Sequence, residues 1–365
     1  MRFPEFSVEW EMVSLQDIAT INPKSDPLQN TFIYIDLEAV EKGELRKIQE
    51  IMREEAPSRA QRVIDNNDIL FQCVRPYQKN NYIHRILNTS NQQWVASTGY
   101  AQIRTTELPN YIYHLLNTDE FNRKVMVRCT GSSYPAINSE DLATIHLYYT
   151  PDKKEQLKIS RLLDLLDKRI ATQNKIIEKL QSLIKGIAQH CIKESTSGNT
   201  YVKLGDICQI TTGKLDANAQ VDNGIYPFFT CAEQPFKIDS FAFDTEALLI
   251  SGNGANLGYI NYYKGKFNAY QRTYVLDLFS ENIQYIKWAL KVLLPKRIAI
   301  EKSSSNTPYI VLSTLTDLRL PIPCKSKQSF IANLMQSLER KLSNQIAQYD
   351  SYNYLKQYLL RQMFI

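Results

Sequence analysis

The chain has 365 residues, 44% of them hydrophobic and 22% charged, with a net charge of +5 and a pI near 8.7. That length exceeds what one core usually fills and implies two domains, while the mildly basic balance permits nucleic-acid binding without requiring it. The six cysteines (73, 129, 191, 208, 231, 324) form no CxxC pair and only four histidines are present, which argues against a zinc site.

The opening MRFPEFSVEWE lacks a basic-then-apolar signal, and no run of about 18 apolar residues occurs, so a reduced, cytoplasmic protein is expected. Residues 1–151 read as a first globular stretch. It opens with Val13-Ser14-Leu15-Gln16-Asp17-Ile18, and Asp68-Ile69-Leu70-Phe71 is a short apolar run of the kind that forms a buried strand. Tyr111-Ile112 opens a short helix, and Leu142 to Pro151 is a strand leading onward.

Residues 152–193 follow as a long helix. Ile159, Leu163, Leu166, Ile170, Gln173, Ile177, Leu180, Ile184, Ile187 and Cys191 recur alternately four and three residues apart, which puts one stripe along the helix in the manner of a coiled-coil seam. Such a stripe needs a partner. Stepping 172 residues forward gives Ile331, Met335, Leu338, Leu342, Gln345, Tyr349, Tyr352, Lys356, Leu359 and Met363, within a second helix spanning 325–365. The frame repeats, and its polar interruption, Gln173, returns as Gln345. Two ordinary amphipathic helices in separate cores are the plainer alternative, but chance rarely repeats a register together with its defect.

The globular stretch repeats as well. After a small polar linker at 194–200, residues 201–324 open with Val202-Lys203-Leu204-Gly205-Asp206-Ile207, and Ala247-Leu248-Leu249-Ile250 matches the first buried strand. Gly258 to Tyr263, a Lys264-Gly265-Lys266 turn and Phe267 onward predict a hairpin; Thr273 to Leu278 predicts a strand, and Asn282 to Leu294 a helix opening on Tyr285-Ile286. Ser132 to Ile137 returns as Ser305 to Ile310, and Leu142 to Pro151 as Leu315 to Cys324. The fold class expected is α+β: two duplicated domains and two long helices forming an antiparallel coiled coil.

Catalytic chemistry finds little support. Ser251 to Gly258 follows a strand, but its glycines are spaced GxGxxxG and lead into another strand, so no helix N-terminus is available for a phosphate. Asn306-Thr307-Pro308-Tyr309 falls one residue short of the Asn-Pro-Pro-Tyr of adenine methyltransferases. A methyltransferase would need both elements complete. Polar residues instead gather at corresponding places in the two halves. Arg75, Tyr77, Lys79, Asn80 and Asn81 follow the first buried strand as Asn253 and Asn256 follow the second; Tyr100 and Gln102 correspond to Tyr270, Gln271 and Arg272. Arg, Gln and Asn can bond base edges in the major groove, and the hydroxyls and amides of Ser132, Ser133, Ser304, Ser305 and Asn306 suit phosphate oxygens. Of these, Arg75, Lys79, Tyr100, Gln102, Ser132, Ser133, Asn253, Asn256, Gln271, Arg272, Ser304, Ser305 and Asn306, with Lys214, form the candidate DNA-binding set. For any one of them a solvated loop side chain is the plain alternative; recurrence in a duplicated unit favours the functional reading.

With these motifs in their duplicated order, nearly the whole chain resembles the specificity subunits of type I restriction-modification systems. The resemblance rests on the two openers, Asp68 to Phe71 with Val74-Arg75-Pro76, Ser97-Thr98-Gly99-Tyr100, and the two loop–strand–long-helix segments. It implies two target-recognition domains held apart by the helix pair, and no enzymatic activity or metal site. It also implies two methylation subunits that bind S-adenosylmethionine, and restriction subunits that use ATP and Mg, all directed to double-stranded DNA by a chain that binds no cofactor itself. A helix of about 35–40 residues is roughly 55 Å long, comparable with the 34–36 Å DNA turn, so the helices could act as a ruler between two unlike half-sites. The departure from the family pattern is Lys356 in the seam. A coiled-coil scaffold that binds no DNA is the competing expectation; salt-sensitive binding to duplex DNA separates the two.

Overall fold

The two apolar runs become the central strands of two sheets. The computed structural model describes residues 2–86, 92–195, 200–302 and 309–364. The chain divides into two compact units, Met1–Asn174 with Gln348–Ile365, and Lys175–Ala347. Each holds one globular part and one segment of each long helix.

In the first unit Ile69–Gln72 pairs antiparallel with Tyr100–Thr105 on one side and Tyr82–Ile83 on the other, and Tyr100–Thr105 pairs with Ala19–Ile21. In the second, Phe243–Ser251 lies between Thr273–Asp277 and Ile260–Ala269, and Thr273–Asp277 pairs with Gln209–Thr212. The same four-strand order is built twice. Continuous apolar runs suit strands covered on both faces, and Ile69, Leu70, Phe71, Leu248, Leu249 and Ile250 are all at most 1% exposed. Outside this common core the halves diverge. The first adds a separate four-stranded sheet around Thr31–Ile35 and Gln93–Ser97, which run parallel; the second extends its own sheet to six strands with Tyr226–Phe229 and Phe236–Ile238.

The repeated openers have one job. Glu11–Ser14 pairs with His146–Tyr149, the strand entering the first long helix, and Thr200–Lys203 pairs with Arg319–Ile322, entering the second. The Leu15 N–H donates to the Ile145 carbonyl at 3.0 Å, and the Leu204 N–H to the Leu318 carbonyl at 2.9 Å.

The expected hairpin is in a different place. Lys264-Gly265-Lys266 makes no turn; it lies inside the ten-residue strand Ile260–Ala269, where Gly265 faces Thr245. The chain reverses at 252–259 instead, where Gly254 and Gly258 have positive φ, because a central strand of nine residues needs a partner longer than the segment up to Tyr263 provides. The helix expected to end near Leu294 runs on from Ile283 to Lys302, through Pro295.

The long helices are Lys153–Glu194 and Lys325–Met363. Within each unit their segments run antiparallel. In the first, Asp167 meets Lys356 and Arg169 meets Tyr352; in the second, the Glu194 carbonyl accepts from Lys327 Nζ. From Ile159 to Ile184, and from Ile331 to Met363, every seam residue is buried or partly buried. Past Ile184 the buried face moves on by one residue, from Ile187 and Cys191 to Ala188 and Ile192. A helix of 3.6 residues per turn drifts from a 3.5-residue repeat in that direction, and here it follows the domain core. Part of the expected linker, 196–199, lies outside the described residues. Among the described residues no helix is long and apolar enough to cross a membrane.

Candidate nucleic-acid interface

Each central strand ends at a surface built by the same bonds. The Cys73 N–H donates to the Gly99 carbonyl at 3.0 Å, and the Ile137 N–H donates to the Cys73 carbonyl at 3.1 Å. In the second unit the Gly252 N–H donates to Arg272 at 2.8 Å and the Ile310 N–H to Gly252 at 2.9 Å. Three segments therefore meet at equivalent places: the strand end, the return strand, and the segment at Ile137 or Ile310. Gly252 is required there by packing, since a Cβ on it would lie 2.5 Å from the Arg272 carbonyl oxygen. The glycine-rich loop is a turn joining Phe243–Ser251 to Ile260–Ala269.

In the first unit this surface carries Arg75, Ser132 and Ser133. Arg75 takes φ +55° and its guanidinium sits 4.4 Å over the ring of exposed Tyr134, a cation–π arrangement that holds it at the rim. Both serines are exposed on the loop closed by the Thr130–Ala136 bridge. Lys79 is nearby but committed to Asp119 at 2.8 Å, and Asp119 is held below the usual carboxylate range by hydrogen bonds from Lys79 and Arg361.

Three first-half expectations fail on burial. Tyr100 is 0% exposed and packs in the core. Gln102, 1% exposed, donates to the Val63 carbonyl and to Asp68. Asn81 accepts from the Gln72 backbone and donates to Asn117. The bonds these three side chains make are to groups within the protein. The position equivalent to Arg272 is Gly99, not Tyr100 or Gln102.

In the second unit Lys214 and Arg272 are exposed on adjoining segments, joined where the Gln271 N–H donates to the Leu215 carbonyl at 2.9 Å. Neither cation has a hydrogen-bond or ion-pair partner among the described residues. Gln271 stands between them with its amide on Asp216 at 2.8 Å. Asn253 accepts from the Cys231 thiol at 3.0 Å and Asn256 donates to the Cys231 carbonyl at 3.0 Å, so both brace the turn rather than face outward freely. Ser304, Ser305 and Asn306 lie outside the described residues.

Apolar side chains are exposed as well. On the first long helix Leu162 and Leu165 in the first unit, and Ile176 and Leu183 in the second, are 38–65% exposed. Among the described residues no group of three or more His, Cys, Asp or Glu is placed to hold a metal.

The family profile described as the type I restriction modification DNA specificity domain matches twice, at residues 7–182 and 196–349. The chain belongs to this family. It is 44% identical over 137 residues to the type I restriction enzyme EcoDI specificity subunit of Escherichia coli, a match covering 38% of this chain and 30% of that one. The MjaIX specificity subunit of Methanocaldococcus jannaschii is 24% identical over 274 residues, covering 64% and 63% of the two chains. These matches thus span less than two thirds of either relative's length. In fold, the type I restriction-modification S subunit from M. genitalium aligns over 100% of this chain and 98% of its own, with TM-score 0.68 and 17% identity. A chain from a structure concerned with complex assembly and conformational transition of the type I R-M system aligns over 98% of both, with TM-score 0.61 and 21% identity. The two matched segments correspond to the two copies of the repeat, and membership in this family implies DNA target recognition.

Sequence reasoning missed one repeated cluster. Glu107-x-x-x-Tyr111-Ile112 returns as Glu281-x-x-x-Tyr285-Ile286, and Lys153-x-x-Gln156 as Lys325-x-x-Gln328. The signal was present, but the acidic and amide residues carried no meaning until the fold brought the pairs together.

Proposed function

We propose that this chain is a non-catalytic specificity subunit that reads a bipartite, non-palindromic site in double-stranded DNA and directs methylation and restriction subunits to it. The observation carrying this reading is the repeated junction at the end of each central strand. Identical backbone bonds present unlike side chains: Arg75 with Ser132 and Ser133 in one unit, Lys214 with Gln271 and Arg272 in the other. Different reading groups on equivalent scaffolds imply different half-sites. Exposed apolar side chains on the first long helix, Leu162 and Leu165 in the first unit and Ile176 and Leu183 in the second, support contact with partner subunits. S-adenosylmethionine, ATP and Mg belong to the partners in this reading.

The test is methylome sequencing of a host carrying the chain with its methylation subunit. A split, asymmetric methylated motif is expected. Exchanging residues 201–323 for another recognition domain should then alter one half of the motif. A continuous or palindromic motif, or a change in both halves, overturns the reading.

A further inference from the structure

Each long helix starts on the same buried amide. Gln156 is 0% exposed and Gln328 1%. Gln156 Nε2 donates to the Thr150 carbonyl at 2.8 Å and to Glu107 Oε2 at 2.8 Å, while its Oε1 accepts from the Leu108 N–H at 3.4 Å. Gln328 Nε2 donates to the Pro323 carbonyl at 2.9 Å and to Glu281 Oε2 at 2.6 Å, and its Oε1 accepts from the Asn282 N–H at 3.0 Å. A lysine from the same helix turn completes each cluster, Lys153 on Glu107 and Lys325 on Glu281.

One side chain thereby ties three segments: the strand leading in, the long helix, and the start of the helix Pro109–Leu116 or Ile283–Lys302. An apolar residue could fill the space, but apolar contact is non-directional. An amide bonded on both of its atoms fixes an angle. The halves differ in most of their sequence yet keep this arrangement of four interactions, which a generic packing need would not preserve atom for atom.

We infer that Gln156 with Glu107, and Gln328 with Glu281, are positioning residues that set the direction of each recognition domain on its long helix and so enforce the spacing between half-sites. The inference rests on the bipartite reading above.

The experiment uses the full chain assembled with its methylation subunit, and duplexes carrying the mapped motif with the spacer unchanged or altered by one base pair. Gln156→Met and Gln328→Met keep length and burial but remove the amide; Glu107→Gln and Glu281→Gln are milder variants should either Met form fail to fold. The unsubstituted complex is expected to lose about tenfold in affinity for an altered spacer, comparable with one mismatched base pair. In the variants this preference should shrink to about threefold or less, while discrimination against a base change within either half-site is unchanged. Variants that melt lower but keep the full spacer preference would show the clusters to be structural only, overturning the inference. If the unsubstituted complex itself ignores spacer length, the bipartite reading fails first, and the inference with it.

Discussion

Lys356 Nζ lies 2.6 Å from Asp167 Oδ1. The heptad frame places Lys356 in the seam, where a charge should be costly. Its stem lies against the first helix while its ammonium reaches the Asp167 carboxylate, as long basic side chains do when an apolar surface and an acid are both near. One turn away, Arg169 donates to the Tyr352 hydroxyl at 3.1 Å and its guanidinium lies 5.5 Å from that ring. The seam in this segment is therefore closed by polar pairs.

This pairing makes the two partners unequal under mutation. Asp167→Asn leaves a partly buried ammonium without its counter-charge and is expected to cost about 1–2 kcal/mol. Lys356→Leu restores an apolar seam residue and should be neutral or slightly stabilising, and in its presence Asp167→Asn should lose most of its effect. Denaturant unfolding of the four proteins measures the coupling. Equal costs with and without Lys356 would show that the pair contributes nothing.

A second prediction concerns acid. His84 is 0% exposed, packs 5.0 Å from the Trp94 ring, and has no hydrogen bond to either ring nitrogen. Burial lowers its pKa to about 4, with Asp68 and Asp65 partly opposing. The unfolded chain, with an ordinary histidine near 6.5, takes up the proton first. Stability is thus fully present above pH 6.5 and is lost as the pH falls toward 4. Between pH 7.5 and 5 this group should account for about 2 kcal/mol. His84→Leu should flatten that part of the stability–pH curve; an unchanged slope would contradict it.

The internal repeat supplies a third. Asp152 caps the first long helix, its Oδ1 accepting from the Lys154 N–H at 2.8 Å. Cys324 occupies the same place on the second: the Gln328 N–H donates to its carbonyl at 3.0 Å, as the Gln156 N–H does to Asp152 at 2.9 Å. The thiol is held below its ordinary range by the Ser326 hydroxyl and then by backbone N–H groups of that turn. We predict that Cys324→Asp raises the melting temperature, and that Asp152→Cys lowers it, because a carboxylate accepts the first N–H groups of a helix better than a thiol. Calorimetry at neutral pH decides the sign.

The fourth separates rim from core. Arg75→Ala and Arg272→Ala should each relax recognition at one half-site, by about 1–3 kcal/mol if the guanidinium reads a base, with folding intact. Phosphate contacts would instead weaken all sequences evenly and reduce the salt dependence. Gln102→Ala should destabilise the fold by leaving a void and removing one donor each from the Val63 carbonyl and from Asp68, which keeps Arg104, and should leave the recognised motif unchanged. Motif mapping alongside melting curves distinguishes these outcomes; a motif altered by Gln102→Ala would reverse the assignment.

The sequence by itself determined the duplication and the placement of the long helices. A heptad repeat and short apolar runs are local patterns whose period dictates helix or strand directly. Family membership could be read from the same order of motifs. What it misjudged was which polar residues face outward. Tyr100 and Gln102 lie on a strand whose faces are both covered, and strand periodicity cannot report a second covering layer. The Lys264–Lys266 segment looked like a turn because Gly between two lysines usually is one; pairing with the long strand Phe243–Ser251 overrode that preference. Only the tertiary structure could join Gln156 to Glu107 and Gln328 to Glu281, or give Lys356 its counter-charge. Those contacts link residues dozens to nearly two hundred positions apart, where no local pattern extends.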